Sequence, residues 1–139
     1  MTKAKNFLLI DDDPDDQDFF LEAVKEVDNS IQCQAINTCE EALHLLANNT
    51  PVLPDIIFLD LNMPRMDGKT CLAEIKKIDK ARHIPVVIYS TSSLKKDIED
   101  TKKLGAVYFL TKPSVFSELC NSISNILETD WTNGLATGN

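Results

Sequence analysis

Short apolar runs alternate with longer segments of helical periodicity, and this alternation constrains the fold of the chain more than any other feature. There are five such runs, Phe7–Ile10, Ile31–Ile36, Ile56–Leu59, Val86–Tyr89 and Val107–Leu110. Three of them are nearly continuous in β-branched, leucine and aromatic residues, which is typical of strands covered on both faces. The second run alternates apolar and polar residues, which predicts a strand nearer the edge of a sheet.

The segments between the runs carry helix signals. Thr38-Cys39-Glu40-Glu41 is a capping box, in which the threonine hydroxyl and the glutamate carboxylate can satisfy free amides reciprocally. Helices are predicted over 16–27, after Thr38, over 68–78, over 94–104 and over 116–127. Their predicted buried stripes are Phe19, Ala23 and Val27 with Phe20 and Val24 beside them; Leu43, Leu46 and Ala47; Leu72, Ile75 and Ile78; Leu94, Ile98 and Leu104; and Phe116, Leu119, Cys120, Ile123, Ile126 and Leu127. Five βα units in a row predict an α/β fold, a parallel sheet with helices on both faces.

Length and composition limit the classes of protein that fit. The 139 residues suit one domain, predicted over 1–128 with a tail over 129–139. The net charge of −8 argues against electrostatic binding to nucleic acid or to an anionic membrane. No apolar run approaches the roughly 18 residues of a membrane span. The four cysteines lack the close spacing of a zinc site or a disulfide framework, so we expect reduced thiols in a cytoplasmic protein.

Polar residues stand where the predicted strands end. Asp11-Asp12-Asp13 follows the first strand, Asp60 the third, Ser90-Thr91 the fourth and Thr111-Lys112-Pro113 the fifth. In an open α/β sheet these carboxyl ends meet at one crevice, which predicts that carboxylates, a hydroxyl and a lysine converge there. Clustered carboxylate oxygens suit Mg²⁺, and a lysine opposite the metal could hold the oxygens of a phosphoryl group.

Four segments in this order resemble the response-regulator receiver family over about residues 6–127. They are Leu8-Leu9-Ile10-Asp11-Asp12-Asp13-Pro14, Asp60-Leu61-Asn62-Met63-Pro64-Arg65-Met66-Asp67-Gly68, Val86-Val87-Ile88-Tyr89-Ser90 and Phe109-Leu110-Thr111-Lys112-Pro113. The resemblance implies a flavodoxin-like (βα)5 fold of three layers, with the parallel strands in the order 2-1-3-4-5. It also implies a two-component signalling protein that catalyses only its own phosphorylation and dephosphorylation, so we do not expect an enzyme.

The resemblance assigns roles to particular residues. Asp60 would be the nucleophile and the phosphorylation site. Mg²⁺, or Mn²⁺ as an alternative ion, would be held by Asp12 directly, by Asp11 through water, by the Asp60 side chain and by the backbone carbonyl of Asn62. Lys112 and the Ser90 hydroxyl would contact the phosphoryl oxygens.

Further expectations follow from the same resemblance. Lys112-Pro113 looks like the family's cis peptide, and Gly68 lies where the chain turns sharply into a helix. Ser90 and Phe109 would form the switch: Ser90 moves toward the phosphoryl group, and the ring of Phe109 rotates into the space this leaves. Thr91 would narrow access to Asp60, and the side chains of Ser92 and Asn62 would tune the lifetime of the phosphate.

The predicted partners are proteins. The switch would change the face built from the fourth helix, fifth strand and fifth helix, where such domains meet partners. These would be a sensor histidine kinase or a phosphotransfer protein, and a downstream protein target. The chain resembles the stand-alone receivers served by phytochrome-like kinases, and Trp131 is left open as a packing residue or a homodimer contact.

Other interpretations stay open. Asp13, Asp15, Asp16 and Asp18 are predicted to complement the dipole of the first helix, and Asp67 to cap the third. Two other functions share some of the residues. One is a small Mg²⁺-dependent phosphatase or phosphotransferase that turns over through Asp60, and the other is a receiver-like scaffold that signals without phosphate.

Overall fold

A computed structural model describes residues 5–48 and 52–129, so that the predicted tail beyond Thr129, with Trp131, lies outside the described residues. The elements follow one another as five βα units. The strands are β1 (Asn6–Ile10), β2 (Gln32–Ile36), β3 (Ile56–Leu59), β4 (Val86–Ser90) and β5 (Tyr108–Thr111). The helices are α1 (Pro14–Val27), α2 (Cys39–Ala47), α3 (Gly68–Ile75), α4 (Lys95–Lys103) and α5 (Phe116–Glu128).

The five strands form one parallel sheet in the order β2-β1-β3-β4-β5, which confirms the predicted topology. β2 is an edge strand, as its alternating pattern indicated, and β5 is the other edge. Ile10 pairs with Leu59 between β1 and β3, and Ser90 pairs with Thr111 between β4 and β5. The register therefore brings the carboxyl ends of these strands to one edge of the sheet, where the polar residues follow.

Alternate residues of the central strands point to opposite faces of the sheet and enter two separate cores. Leu8, Ile57 and Ile88 belong to the core that α2 and α3 cover. Phe7, Phe58 and Val87 belong to the core that α1 and α5 cover. Burial on both faces explains why β3 and β4 read as unbroken apolar runs, since every residue of both strands is buried.

The predicted helices form, but their buried faces differ in part from the predicted ones. α1 buries Phe20, Ala23 and Val24, whereas Phe19 and Val27 lie at the edge of its buried stripe. Ala47 of α2 is exposed, and Cys39 and Ala42 share the buried face with Leu46 instead. The predicted stripe of α4 fails at two of its three residues, because Leu94 is 66% exposed and Ile98 is 39% exposed, whereas Leu104 packs against the core beneath α2 and α3. The buried side chain of α4 is Thr101, whose hydroxyl donates to the carbonyls of Asp97 and Ile98.

Helix ends follow the predicted caps. The Thr38 hydroxyl accepts the Glu41 amide at 3.1 Å, but the Glu41 carboxylate accepts from the Thr38 hydroxyl, so the capping box is not reciprocal through the amides. Asp67 caps α3, as predicted, by accepting the Thr70 amide at 2.9 Å. α3 ends at Ile75, three residues earlier than its periodicity predicted, and turns follow it.

The expectation that all cysteines are reduced was wrong for two of them. Cys39 and Cys71 form a disulfide between the first turns of α2 and α3, with Cα atoms 5.8 Å apart. Sequence spacing did not reveal this pair because its members are 32 positions apart in the sequence, and packing of the two helices brings them together. Cys33 and Cys120 are free thiols.

Candidate functional site

Three acidic residues meet at the carboxyl end of the sheet. Asp11, Asp12 and Asp60 each offer a carboxylate oxygen, and these three atoms lie within 4.8 Å of one another. Backbone hydrogen bonds extend the sheet by one residue to hold two of them. The Asp60 amide donates to the Ile10 carbonyl at 2.9 Å, and the Asp11 amide donates to the Ile36 carbonyl at 3.0 Å. Two of these carboxylates are therefore fixed by the strands themselves.

Asp60 is buried, with 4% of its surface exposed, and both of its oxygens have neighbours. Oδ1 accepts the backbone N–H of Asn62 at 3.2 Å, and Oδ2 lies 3.6 Å from Nζ of Lys112. Burial raises the pKa of Asp60 to about 6, against the lowering effect of the Lys112 charge, and the nearby carboxylates of Asp11 and Asp12 raise it further. A cation that neutralised these carboxylates would favour ionised Asp60.

Lys112 carries the positive charge of the site. Its Nζ donates to Asp11 Oδ2 at 2.8 Å and to Asp16 Oδ2 at 2.7 Å, and its side chain is 8% exposed. The ammonium also lies 5.2 Å from the centre of the Tyr89 ring. Burial alone would lower the pKa of Lys112, but its hydrogen bonds with Asp11 and Asp16 and the Asp60 charge outweigh burial and raise it. Lys112 is therefore a fixed cation.

Asp16 was not predicted to belong to the site. The sequence predicts only that its charge complements the N-terminus of α1, yet its side chain reaches Lys112, a residue 96 positions further along the chain. A signal for this contact was present in the sequence. The helix begins directly after Asp13, so a side chain in its first turn stands beside the strand ends where the polar residues meet.

Ser90 is fully buried at the end of β4, and its neighbours tie it to the loop that follows. Its hydroxyl accepts the Ser92 amide at 3.3 Å, and its carbonyl accepts the Lys112 amide at 2.7 Å. Ser92 Oγ donates to Asp97 at 2.5 Å and accepts the Leu94 amide at 3.2 Å. The loop between β4 and α4 is thus held by hydrogen bonds that begin at Ser90.

A lysine at the start of α3 pairs with two carboxylates of α4, the helix that follows this loop. Lys69 Nζ lies 2.8 Å from Asp97 Oδ1 and 2.9 Å from Asp100 Oδ2. The hydrogen bonds from Lys69 lower the pKa of both carboxyls, and those two carboxyls raise the pKa of Lys69. Sequence reasoning did not single out these residues, because their pairing joins two helices across a loop.

Phe109, predicted to be part of the switch, pairs with Ile88 of β4. Its ring is half-buried and packs against the core beneath α2 and α3. The neighbouring Tyr108 is 45% exposed on the other side of the strand. The structure therefore places Phe109 on the face of β5 that packs against the core beneath α2 and α3, next to the strand that ends at Ser90.

Two predictions about the backbone need correction. The bond between Lys112 and Pro113 is trans, since no cis peptide occurs among the described residues. The two isomers of an X-Pro bond differ by only about 0.5–1 kcal/mol, and Lys112 reaches the acidic residues with the trans bond. Gly68 is required by close packing rather than by a sharp turn. A Cβ atom built there would stand 2.5 Å from the Asp60 carbonyl oxygen and 2.5 Å from the Leu61 Cα.

The donor set indicates what the site can hold. Carboxylate oxygens are the ligands of hard divalent cations, and Asp11, Asp12 and Asp60 place three of them close enough to share one ion. Asp12, unlike Asp11 and Asp60, is not buried, which leaves the site open on that side. An open cation site beside a buried carboxylate and a fixed lysine is suited to binding a phosphoryl group.

No helix of the described residues is long and apolar enough to cross a membrane.

Comparison with known proteins identifies the class to which this fold and site belong. The family model of the response regulator receiver domain matches residues 7–124. The chain therefore belongs to the receiver domain family of two-component systems. Response regulator Rcp1 of Synechocystis sp. is 37% identical over 78 residues, which are 56% of this chain and 52% of Rcp1.

Another relative is a longer, enzymatic protein. The protein-glutamate methylesterase/protein-glutamine glutaminase of Methanococcoides burtonii is 33% identical over 118 residues, 83% of this chain and 32% of that protein. The chain spans between about a third and a half of the length of the curated relatives it matches first. The shared domain therefore does not assign the activities of those whole proteins to this chain.

Solved structures agree with the family and narrow the resemblance. The phosphorylated cyanobacterial phytochrome response regulator RcpA is similar with a TM-score of 0.79 and 31% identity, over 88% of this chain and 91% of that one. The Mn²⁺-bound form of Rcp1 has a TM-score of 0.78 and 29% identity, over 91% and 96% of the two chains. The predicted resemblance to phytochrome-associated receivers is confirmed. The bound ion of Rcp1 is consistent with divalent cation use at the acidic group.

Proposed function

We propose that this protein accepts a phosphoryl group on Asp60 from the phosphohistidine of a sensor kinase or a phosphotransfer protein, in a reaction that requires Mg²⁺. The observation that carries the proposal is the environment of Asp60. Its buried carboxylate lies with Asp11 and Asp12 within 4.8 Å and has Lys112 3.6 Å from Oδ2. A nucleophile, a cation site and a fixed positive charge are the parts that phosphoryl transfer uses.

In the proposed reaction an oxygen of Asp60 attacks phosphorus. The P–O bond of an acyl phosphate forms as the P–N bond of phosphohistidine breaks, and the bonding electron pair leaves with the imidazole nitrogen. The backbone N–H of Asn62 donates to Asp60 Oδ1 at 3.2 Å, and the Lys112 ammonium faces Asp60 Oδ2. The carboxylate is therefore oriented from both sides. The Ser90 hydroxyl and the Lys112 ammonium would each bind one phosphoryl oxygen.

Asp11, Asp12 and Asp60, together with the backbone carbonyl of Asn62, would hold the Mg²⁺. When bound, Mg²⁺ supplies charge neutralisation for the carboxylates and for the phosphoryl oxygens. Mn²⁺ has the same preference for oxygen ligands and would serve instead. The protein's own residues would then orient the Asp60 carboxylate and supply the positive charge of Lys112, which keeps its proton.

The proposed switch starts at Ser90 and ends at an apolar surface. Movement of Ser90 toward the phosphoryl group would pull the loop through Ser92 and let Phe109 repack beside β4. With the exception of Val52, the exposed large apolar side chains of the described chain belong to α4, β5, α5 and the residues just before these helices: Leu94, Ile98, Tyr108, Val115 and Phe116. This surface would bind the downstream protein.

The test is phosphorylation followed by intact-protein mass spectrometry. The wild-type protein and Asp60→Asn are incubated with acetyl phosphate or phosphoramidate, with Mg²⁺ or with a chelator. We expect a Mg²⁺-dependent adduct of one HPO3, stable in acid and labile in base, that Asp60→Asn abolishes. Asp55→Asn is the matched control, because Asp55 lies at the opposite end of the sheet, where it accepts the amides of Lys5 and Asn6.

Other results would point elsewhere. Absence of an adduct with both donors, together with no heat of Mg²⁺ binding in calorimetry, would overturn the proposal and favour a scaffold that signals without phosphate. Continuous turnover of a small phosphate ester through Asp60 would favour a phosphatase or phosphotransferase. A stoichiometric adduct without such turnover supports the receiver function.

A further inference from the structure

Asp16 is the closest carboxylate to the lysine of the site. Its Oδ2 lies 2.7 Å from Lys112 Nζ, compared with 2.8 Å for Asp11 and 3.6 Å for Asp60. Asp16 stands in the first turn of α1 and is half-buried, whereas its neighbour Asp15 in the same turn is exposed. The two residues carry the same charge at the same helix end, and Lys112 pairs with Asp16.

We propose that Asp16 is a positioning residue that holds the Lys112 ammonium beside Asp60. The inference deepens the proposed function, on which its consequence for phosphorylation rests. A lysine ammonium has three N–H donors. Asp11 and Asp16 take two of them at hydrogen-bond distance, which leaves the third for Asp60 Oδ2 and for the phosphoryl oxygen that would replace that contact.

The need for a second anchor follows from the cation site. Asp11 belongs to the group of three carboxylates that could hold a divalent ion, and Asp16 does not. A cation at that group attracts the Asp11 oxygens and competes with Lys112 for them. Asp16 then remains as the carboxylate that keeps Lys112 in place while the cation is bound. Without it, the long lysine side chain would regain rotamers that its ion pairs exclude.

The rival interpretation is that Asp16 only complements the α1 dipole, as the sequence suggested. The variant Asp15→Asn distinguishes the dipole interpretation from the positioning interpretation, because it removes the same charge from the same helical turn without changing a contact of Lys112. Asp16→Glu restores a carboxylate on a longer side chain and should recover part of any lost effect. If Asp16 acts only through its charge at the helix end, Asp15→Asn and Asp16→Asn should give equal results. If Asp16 positions Lys112, the two variants should give different results.

The first measurement is the NMR signal of the lysine ammonium groups in the unphosphorylated full-length protein, with and without Mg²⁺. Buried, hydrogen-bonded ammonium protons exchange slowly enough to be observed, and Lys112→Met assigns the signal. We expect the Lys112 signal in the wild-type protein, in Asp15→Asn and, weaker, in Asp16→Glu, and we expect it to broaden beyond detection in Asp16→Asn when Mg²⁺ is present. Persistence of the signal in Asp16→Asn would overturn the proposal.

The second measurement is the second-order rate constant of phosphorylation by acetyl phosphate. We expect a loss of roughly tenfold in Asp16→Asn, the size expected for one charge-assisted hydrogen bond, a change within about twofold in Asp15→Asn, and partial recovery in Asp16→Glu. Equal losses in the two asparagine variants would overturn the proposal. If the wild-type protein gave no adduct with either small donor and bound no Mg²⁺, the proposed function would fail, and the NMR result would still decide whether Asp16 holds Lys112.

Discussion

Gly68 packs directly on the backbone of Asp60. A Cβ atom at position 68 would stand 2.5 Å from the Asp60 carbonyl oxygen, closer than nonbonded atoms approach. The Gly68 amide also donates to the Leu61 carbonyl at 3.0 Å, which holds the start of α3 against the end of β3. Asp60, the proposed phosphoryl acceptor, and the first residue of the next helix are therefore held tightly together.

Gly68→Ala should disturb this packing. Both obstacles, the Asp60 carbonyl and the Leu61 Cα, belong to backbone, which cannot move aside as a flexible side chain can. We expect the free energy of unfolding to fall by about 2–4 kcal/mol, the range of severe overpacking, as measured by urea denaturation. Gly105→Ala is the control: its Cβ would meet the flexible Lys76 side chain, and only the positive φ of 108° adds strain, at about 1–2 kcal/mol. A smaller loss for Gly68→Ala than for Gly105→Ala would contradict the packing argument.

The ion pairs of Lys69 should restrain the loop between β4 and α4. Lys69→Gln removes the bridges from α3 to Asp97 and Asp100, so we expect amide hydrogen exchange over residues 91–97 to quicken about two- to fivefold, as the loss of a weak ion pair allows. Lys96→Gln is the matched control, because Lys96 also pairs with Asp100, at 3.2 Å, but lies on α4 itself. Equal exchange in the two variants would show that the tie to α3 does not hold the loop.

The disulfide should contribute to stability and limit the number of reactive thiols. It closes a loop with a sequence separation of 32, for which chain entropy gives about 3–4 kcal/mol. We expect reduction, or the double variant Cys39→Ser with Cys71→Ser, to lower the urea midpoint. Alkylation of the native protein should modify Cys33 and Cys120 alone. Modification of Cys39 or Cys71 before any reductant is added would disprove the bridge.

Alkylation of Cys33 should itself be slow. Burial raises the pKa of this thiol to about 12, so that very little thiolate is present near pH 8. We expect iodoacetamide to react with Cys33 far more slowly than with a small free thiol, and its rate to keep rising with pH up to the limit of protein stability. A plateau in the rate near pH 9 would indicate an ordinary, solvated thiol. Mass spectrometry of timed, quenched samples provides the rates.

Asp60 should make the metal-free protein less stable as the pH rises. Its pKa is raised to about 6 in the folded protein from 3.8, so between about pH 4 and pH 6 the unfolded chain ionises first and the folded state loses stability. Asp60→Asn should remove this loss. We expect the variant to exceed the wild-type protein in free energy of unfolding by about 1–3 kcal/mol at pH 7.5 with chelator, and the difference to vanish near pH 4. If the difference in free energy of unfolding did not change with pH, it would arise from packing and not from the ionisation of Asp60.

The sheet could be predicted from sequence because its signals are local. β3 and β4 are buried on both faces, so their residues are apolar without interruption, and the alternating pattern of β2 marked an edge. The site could be predicted for a related reason. Parallel strands that end at one edge bring together whatever follows them, which placed Asp11, Asp60 and Lys112 in one crevice before their contacts were known.

What sequence reasoning missed depends on contacts between distant elements. The side chains of Asp16 and Lys112 meet across the gap between α1 and β5, and Cys39 meets Cys71 between two helices. Neither pair has a periodicity that would reveal it. The face of α4 was wrong for a different reason: apolar residues were assumed to point inward, but Leu94 points outward and Thr101, which satisfies its own hydroxyl within the helix, is buried.

α4 inserts little more than one hydroxyl-bearing side chain into the interior, and polar links through Lys69 and Ser92 hold its N-terminal end. Hydrophobic burial anchors α1 and α5, whereas α4 rests on interactions that water can replace at small cost. Local unfolding should therefore begin at α4 while the sheet stays intact. Displacement of the N-terminal end of α4 would therefore tilt the helix, and the tilt would change which exposed apolar side chains the proposed partner contacts.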